Sequence, residues 1–587
     1  MATRPPRSPG SSGTAESTLD DNVSGNYRPL MEDQRRSSFS YSHQFPSNSA
    51  RGSNTPNPFA RGSIIDREIP AVPEDMAAAL SKHSKQTYNG KIKRWPGIVL
   101  LLLVVGGAIA AIAVYSLQSH DAATKRRQDV QRAIADRVRI SDGLDVLSND
   151  DDVSDDGAVN NPKVYTPIGC ELPNYVSKKG KIWAVSKNGT EVPIGIKGVN
   201  WFGMETGLQA PFGLWDNERN GTTVYAVADF LSKNKFNSVR LPLCVQNILE
   251  NKPLEAAIIN KQSNRALDTS SYISLIQTLV KGLGFRRISV MISMHTLDRL
   301  NVGGSLWYGT TVTEDEFMQS IDMLTNALCS NEYWNVLGID VKNEPWEGTW
   351  GTGLRNDFKV GAEKIAARML KGCPQWMAFV EGVNAQHEIV LDGQPYAYYD
   401  WFGGGLHKAK QFPPQLDLPD KLVYAPHYYT PAVFPQYYLF GGGTVGQGNA
   451  IINYVELSNA TLLSRVKATM TDMFGFLNEA KGPAVVLGEF AGLYTKDAHP
   501  RKTTQRCTDF TIKTMLEDGY AGGYMWSLNP ESAYQYNPAD KVGHFTEGLL
   551  EDDWRRANEP FLKAMSALDA LPDLKPTPCF PTSSGTN

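Results

Sequence analysis

Short apolar runs recur through the second two-thirds of the chain, separated by stretches at helical spacing. The runs lie at Ile194 to Asn200, Ser238 to Leu241, Ile288 to Met294, Val336 to Val341, Trp376 to Val380, Leu422 to Ala425, Ala484 to Leu487 and Gly522 to Trp526. Each has the length and apolar content of a buried strand. Between them, Tyr272, Leu275, Ile276, Leu279 and Leu283 fall on one helical face, as do Phe358, Ala362, Ile365 and Met369. Alternating strand and helix implies a parallel sheet, and eight such units imply closure into a (β/α)8 TIM barrel. Ahead of the first barrel strand, Ile182 to Val185 and Val192 to Ile194 flank Asn188-Gly189, a hairpin signal.

The pattern upstream is different. Residues 1–94 are rich in Ser, Pro, Arg and Asn with few apolar clusters. Such a composition cannot bury enough surface to offset the entropy of ordering, so a disordered cytoplasmic tail is expected. Gly97 to Leu117 is uncharged and about 20 residues long, enough to cross a bilayer core of about 30 Å. Lys91, Lys93 and Arg94 abut its N-terminal end, while Lys125-Arg126-Arg127 stand further from the other end. The immediate flanks orient the tail to the cytoplasm. A transmembrane signal anchor over 95–117 is therefore expected. The protein would be a single-pass type II membrane protein, in the plasma membrane with its globular part outside the cell. A stalk over 118–166 follows, with a short helix carrying Val130, Ile134 and Val138, then an extended acidic linker through Asp150-Asp151-Asp152 and Asp155-Asp156. The globular body is expected over 167–570 and a frayed Pro- and Ser-rich tail over 571–587.

Composition narrows the class. The net charge is -4, with acidic and basic residues nearly balanced, which argues against electrostatic binding to nucleic acid. All six cysteines follow the apolar segment and no CxxC pair occurs. Disulfides in an oxidising compartment fit better than a zinc site. The preferred pairing joins Cys329 to Cys373, each after the end of a neighbouring predicted helix. Three sequons, Asn188-Gly-Thr190, Asn220-Gly-Thr222 and Asn459-Ala-Thr461, share that side of the segment. Nothing in the sequence fixes an oligomeric state.

The chemistry sits where the strands end. Val341-Lys342-Asn343-Glu344-Pro345 follows the fourth run, and Glu489 follows the seventh. A carboxylate at the C-terminal end of a barrel strand is a catalytic position, and two of them are what a retaining glycosidase needs. Arg240, His295, His427-Tyr428-Tyr429 and Trp526 end or follow the second, third, sixth and eighth runs. Six polar or aromatic strand ends on one rim are hard to explain by packing.

These residues resemble glycoside hydrolase family 5, the cellulase-type barrels. Gly198-Val-Asn-Trp-Phe-Gly-Met-Glu-Thr206, Ser305-Leu-Trp-Tyr308, Phe379-Val-Glu-Gly382, Leu422-Val-Tyr-Ala-Pro-His427, Leu487-Gly-Glu-Phe490 and Trp526-Ser-Leu-Asn-Pro-Glu531 are similar to its endo-β-1,4-glucanase subfamily in particular. The resemblance implies a β-glucan substrate, no cofactor and no metal. Glu489 would be the nucleophile, held ionised by Arg240 and Tyr429. Glu344 would be the acid/base, its pKa raised by the neighbouring carboxylate. Asn343 would bond the sugar 2-hydroxyl, and His295 and His427 would line the donor subsite. Trp526 would lie under the donor ring, with Trp201, Trp307, Trp215, Trp346 and Trp350 as further aromatic candidates. Two departures from the subfamily, Trp346 directly after Asn-Glu-Pro and a long 535–546 loop, touch the cleft. A β-1,3-glucanase or transglycosylase could use the same carboxylates. A non-catalytic sugar-binding surface protein would lack one of these glutamates or the strand-end arginine, and none is missing.

Overall fold

The computed structural model describes residues 158–255, 258–299 and 306–582, together with Leu103, Val105, Gly106, Gly107 and Val114. The tail over 1–94, nearly all of the apolar segment and most of the acidic stalk lie outside the described residues. Among the described residues no helix is long and apolar enough to cross a membrane.

Eight parallel strands close into a barrel. They are β1 (Ile196–Asn200), β2 (Ser238–Cys244), β3 (Ser289–Thr296), β4 (Val336–Asp340), β5 (Met377–Val380), β6 in two pieces (Leu422–Tyr424 and His427–Tyr429), β7 (Ala484–Ala491) and β8 (Gly522–Met525). Neighbours follow in sequence order, and pairing of β8 with β1 completes the ring. Every residue of β1, β2, β4 and β5 is buried, as expected of strands covered on both faces.

The outer layer comprises α1 (Val224–Lys233), α2 (Tyr272–Phe285), α3 (Glu314–Leu328), α4 (Phe358–Gly372), α5 (Asn459–Met473), α6 (Thr503–Asp518) and α7 (Glu559–Met565). Their starts are written in the sequence. Thr313 and Glu316 form a reciprocal capping box on α3, and Ser271 and Ser458 cap α2 and α5. α2 buries Leu275, Ile276, Leu279 and Leu283, the face its periodicity predicts. Between β5 and β6 an antiparallel hairpin, Gln386–Leu391 with Gln394–Tyr399, stands where a helix would complete the alternation.

Inside the barrel, Gly198 leaves room for the Tyr524 ring, which a side chain there would strike. The Tyr524 hydroxyl lies 2.8 Å from Ser238 Oγ. The N-terminal mouth is covered by a three-stranded sheet, Asn174–Lys178, Lys181–Val185 and Glu191–Ile194. Its second turn carries Asn188-Gly189, as the hairpin signal predicts.

Two boundaries differ from the sequence expectation. The chain is already part of the barrel body before residue 167: Asn161 accepts from Arg265 Nε at 2.9 Å, and Tyr165 packs on Phe285. At the other end, 571–582 is tied down rather than frayed. Gly195 N–H donates to Asp573 O, Thr577 N–H donates to Arg287 O, and Cys579 is disulfide-bonded to Cys170. Main-chain hydrogen bonds and a covalent link hold a segment whose composition alone looks loose. Cys329 and Cys373 form a second disulfide, across the ends of α3 and α4, while Cys244 and Cys507 are buried thiols.

Candidate active site

Arg240, at the centre of β2, organises the C-terminal rim. It is fully buried, and every N–H group it carries has a partner. Nε and Nη2 donate to Asp340 Oδ2 at 3.0 and 2.6 Å. Nη2 also reaches Asn343 Oδ1 at 2.7 Å and Glu381 Oε1 at 3.2 Å. Nη1 donates to Asn200 Oδ1 at 2.9 Å and Glu489 Oε1 at 2.5 Å. One guanidinium, itself on β2, thus joins groups from β1 and β7, from the end of β4 and from just past β5. Burial opposes its charge, and Asp340, Glu489 and Glu381 more than offset that.

Glu489 lies within β7, in register with His427 of β6. Its second oxygen accepts from the Tyr429 hydroxyl. With Arg240 on the other oxygen, the carboxylate is held from two sides. Glu344 stands past the end of β4 in a left-handed backbone conformation, φ 44°. Such a conformation costs a side-chain-bearing residue about 1–3 kcal/mol. Two hydrogen bonds hold it: Glu344 N–H donates to Glu381 Oε2 at 2.8 Å, and Trp346 N–H donates to Glu344 O at 2.7 Å. A Glu344 carboxylate oxygen, a Glu489 carboxylate oxygen and a His427 ring nitrogen all lie within 4.8 Å of one another.

His427 is shared among three acids. Nδ1 is 3.1 Å from Glu344 Oε1 and 3.6 Å from Glu489 Oε2, and Nε2 is 3.0 Å from Glu381 Oε1. Burial acts against its charge, but Glu381 and Glu489 push its pKa well above the usual imidazole range. Burial raises Glu344, His427 pulls it back, and the Glu489 charge raises it again; the net direction is up. Asp340 is pushed up to about 7 by burial and by Glu381. His295 goes the other way. Burial, Arg240 and Lys342 hold it well below its ordinary value, hence neutral. Its ring is parallel to Trp526, with centroids 6.0 Å apart, and Phe202 stacks on Trp526 at 5.5 Å.

The structure therefore gathers Arg240, His295, Asn343, Glu344, His427, Tyr429, Glu489 and Trp526 on one rim. It does not gather Trp201 or Trp307, and the expectation that they line the cleft is corrected. Trp201 is fully buried and gives its indole N–H to Phe212 O. It follows Asn200, so strand alternation turns it away from the barrel axis. Trp307 packs against Phe358 and over Gly361 of α4. Trp215 and Trp350 spend their indole N–H groups on Asn220 and Phe412. Trp346 alone of the extra candidates is half-buried beside Glu344, stacked 5.7 Å from Phe402.

Sequence reasoning missed Asn200, Asp340, Glu381 and Glu205. Asn200 and Glu381 obey the rule that found the others, because they end β1 and follow β5. Applied to all eight strands it would have found both. Glu205 carried no such signal. It accepts from Gly203 N–H at 2.7 Å, and burial followed by the Glu489 charge pushes it up to about 7 despite that bond. Asp340, Glu381 and His427 also approach within 4.8 Å of one another, as a metal site would, but the Arg240 guanidinium already supplies their cation.

Comparison with known proteins agrees with this geometry. The cellulase family model, glycosyl hydrolase family 5, matches residues 185–532. An endoglucanase of Paenibacillus polymyxa is 27% identical over 406 residues, covering 68% of this chain and 88% of that protein. The major extracellular endoglucanase of Xanthomonas campestris pv. campestris is 29% identical over 376 residues, covering 64% of this chain and 67% of that protein. The structure of a glutamate-to-alanine variant of a Pyrococcus horikoshii endocellulase with cellotetraose superposes with a TM-score of 0.54. It is 27% identical and covers 69% of this chain and 99% of its own. A barrel with these strand ends, matched by that model over more than half its length, belongs to the cellulase family of glycosyl hydrolases, family 5, and is a glycosidase.

Proposed function

We propose that the protein is a retaining endo-β-1,4-glucanase, with Glu489 as nucleophile and Glu344 as acid/base. The observation behind this is the approach of the two carboxylates to within 4.8 Å. Retaining glycosidases place their pair about 5–5.5 Å apart, too close for a water to attack from between them. Glu489 attacks the anomeric carbon as Glu344 gives its proton to the departing glucan oxygen. A covalent glycosyl-enzyme forms and one chain end leaves. Esterification removes the Glu489 charge, which lowers the Glu344 pKa and readies it to take a proton from water. That water attacks the same carbon and frees Glu489. Asn343 gives its carbonyl to Arg240, which leaves its amide nitrogen to donate to the sugar 2-hydroxyl, a bond that tightens as the oxocarbenium character grows. Trp526, backed by Phe202 and His295, supplies the flat face under the donor ring.

Proton NMR of the first product tests the chemistry. Retention of the anomeric configuration is expected, and inversion removes Glu489 from the nucleophile's role. Falling viscosity of soluble cellulose ahead of reducing-end release tests the endo mode. Release of monosaccharide alone overturns it.

The location follows by a separate argument. We place the catalytic body on the non-cytosolic face of the plasma membrane, anchored by 95–117. Two disulfides suit an oxidising compartment, and Asn188 and Asn459 of the sequons are exposed. Protease protection in sealed vesicles, with a mobility shift on deglycosylation, tests this. A catalytic body digested from the cytosolic side would refute it.

A further inference from the structure

The hairpin between β5 and β6 carries a second cluster of titratable groups, outside the catalytic rim. His387 lies on its first strand, Asp400 directly after its second, and His407 in the turn beyond. Asp472, near the C-terminal end of α5, closes the group. His387 Nε2 is 2.6 Å from Asp400 Oδ1, and His407 Nδ1 is 3.7 Å from Asp400 Oδ2. One ligand atom from each of His387, Asp400 and His407 falls within 4.8 Å of the others.

Three features distinguish this cluster from a surface ion pair. First, Asp400 is fully buried and fixed by Ala385 N–H at 3.1 Å, so its carboxylate cannot swing to solvent. Second, His407 Nδ1 is buried, faces that carboxylate, and has no hydrogen-bond partner among the described residues. A buried nitrogen without a partner is costly unless something binds it. Third, His387 is oriented from behind: Nδ1 lies 2.9 Å from Asp472 Oδ2, and Tyr398 OH donates to the same oxygen at 2.6 Å. A carboxylate on the far nitrogen of an imidazole is the usual support of a metal-ligating histidine, because it fixes the tautomer and raises the basicity of the other nitrogen.

We propose that His387, Asp400 and His407 bind one divalent transition-metal ion of the zinc class, with Asp472 orienting His387. Two imidazoles and a carboxylate favour such an ion over calcium or magnesium, which prefer all-oxygen sets. Bonds of about 2.0–2.2 Å need the three donors about 3.3–3.5 Å apart. The close His387–Asp400 pair therefore opens, and His407, in a half-exposed turn, moves in; water takes the fourth position. The ion would act as a clip. Asp400 precedes Trp401, whose ring packs 6.2 Å from Tyr429, and Gly403, which backs Glu381 and His427. It would thus tie the hairpin to the wall behind the catalytic carboxylates without touching substrate.

The test uses the full chain, stripped with EDTA and titrated with zinc chloride by calorimetry, with thermal unfolding in parallel. One ion per chain and a raised midpoint are expected. His407→Ala should weaken binding at least about 100-fold and Asp472→Asn about 10-fold, both leaving hydrolysis unchanged. Glu489→Gln should leave zinc binding intact. Failure of wild type to bind one equivalent overturns the proposal. So does binding that survives His407→Ala, or binding that disappears in Glu489→Gln, which would locate the ion among the catalytic carboxylates.

Discussion

The two rims of the barrel are built from different kinds of hydrogen bond. At the N-terminal rim, side chains bond mostly to main chain. Lys421 Nζ donates to Tyr175 O at 2.6 Å, Asn237 Nδ2 to Gly195 O at 2.7 Å, Asn335 Nδ2 to Ile288 O at 2.9 Å, and Tyr175 OH to Trp334 O at 2.8 Å. At the C-terminal rim, side chains bond mostly to one another, through Arg240, Asp340, Asn343, Glu381 and Glu489. A bond to main chain fixes the path of the backbone and leaves nothing over. A side-chain network fixes its members relative to each other and keeps oxygens and nitrogens available to a ligand. Conserving the path is a stability task; holding charge ready in a dry rim is a functional one.

If that division is right, substitutions at the two rims should separate activity from stability. The largest effect belongs to Glu489→Gln. It should cut kcat on soluble glucan by about 10⁴-fold or more, the scale of a lost nucleophile, while leaving the thermal midpoint near that of wild type. Next is Glu344→Ala, with a loss of about 10²–10⁴-fold on glucan. The loss should shrink on an aryl cellobioside whose leaving group needs no proton. Equal losses on both substrates would show that Glu344 is not the acid. Its raised pKa also fixes the sign of a pH effect: activity is lost as Glu344 gives up its proton, so the alkaline limb of kcat/KM should lie above the ordinary carboxylate value of about 4.3. In Glu344→Gln, residual turnover of the aryl substrate should lose that limb.

Arg240→Met links the two tasks. It strands carboxylates in a dry interior, which should cost about 3–5 kcal/mol in urea unfolding as well as activity. At the opposite rim, Lys421→Met should cost about 1–3 kcal/mol through unsatisfied oxygens, with kcat unchanged. The disulfides extend the contrast. Both lie away from the catalytic rim and should affect stability alone. Cys170–Cys579 spans 409 residues and Cys329–Cys373 spans 44. In the chain-entropy description the longer link should be worth about 2 kcal/mol more. Equal losses in the Cys170→Ser and Cys329→Ser proteins would show native-state strain or residual unfolded structure overriding loop length.

The same contrast explains what could be read from the sequence. The eight strands were legible because buried parallel strands are continuous apolar runs, and the α2 face was legible from its spacing. The strand-end residues were legible because topology sends every C-terminal strand end to one rim. Trp201 and Trp307 were misassigned because an aromatic side chain serves equally well in packing and in sugar stacking. Only the direction of the side chain decides, and for Trp201 one step of strand alternation does so. The ends were misjudged because composition says nothing about a disulfide across 409 residues, nor about main-chain bonds such as Gly195 to Asp573. The hairpin that replaces a helix after β5 was not anticipated, and with it went the His387–Asp400–His407 cluster.

The smallest effect sharpens the comparison within the catalytic rim itself. Trp346 contributes two separable things. Its main-chain N–H bonds Glu344 O and holds that residue's left-handed conformation, whatever side chain follows. Its ring, half-buried against Phe402, offers an aromatic face next to the acid/base. Trp346→Ala keeps the first and removes the second. An aromatic contact is worth about 0.5–1.5 kcal/mol beyond its area, so KM for glucan should rise about 2–10-fold while kcat stays within about twofold. Trp346→Phe should recover most of the loss. Trp307→Ala is the control, because that ring fills the interior against α4. It should cost about 3–5 kcal/mol in stability and leave KM unchanged. A fall in kcat for Trp346→Ala at constant KM would mean that the ring positions Glu344 and does not bind sugar. The boundary between structural and functional aromatics would then lie one residue further out than the geometry draws it.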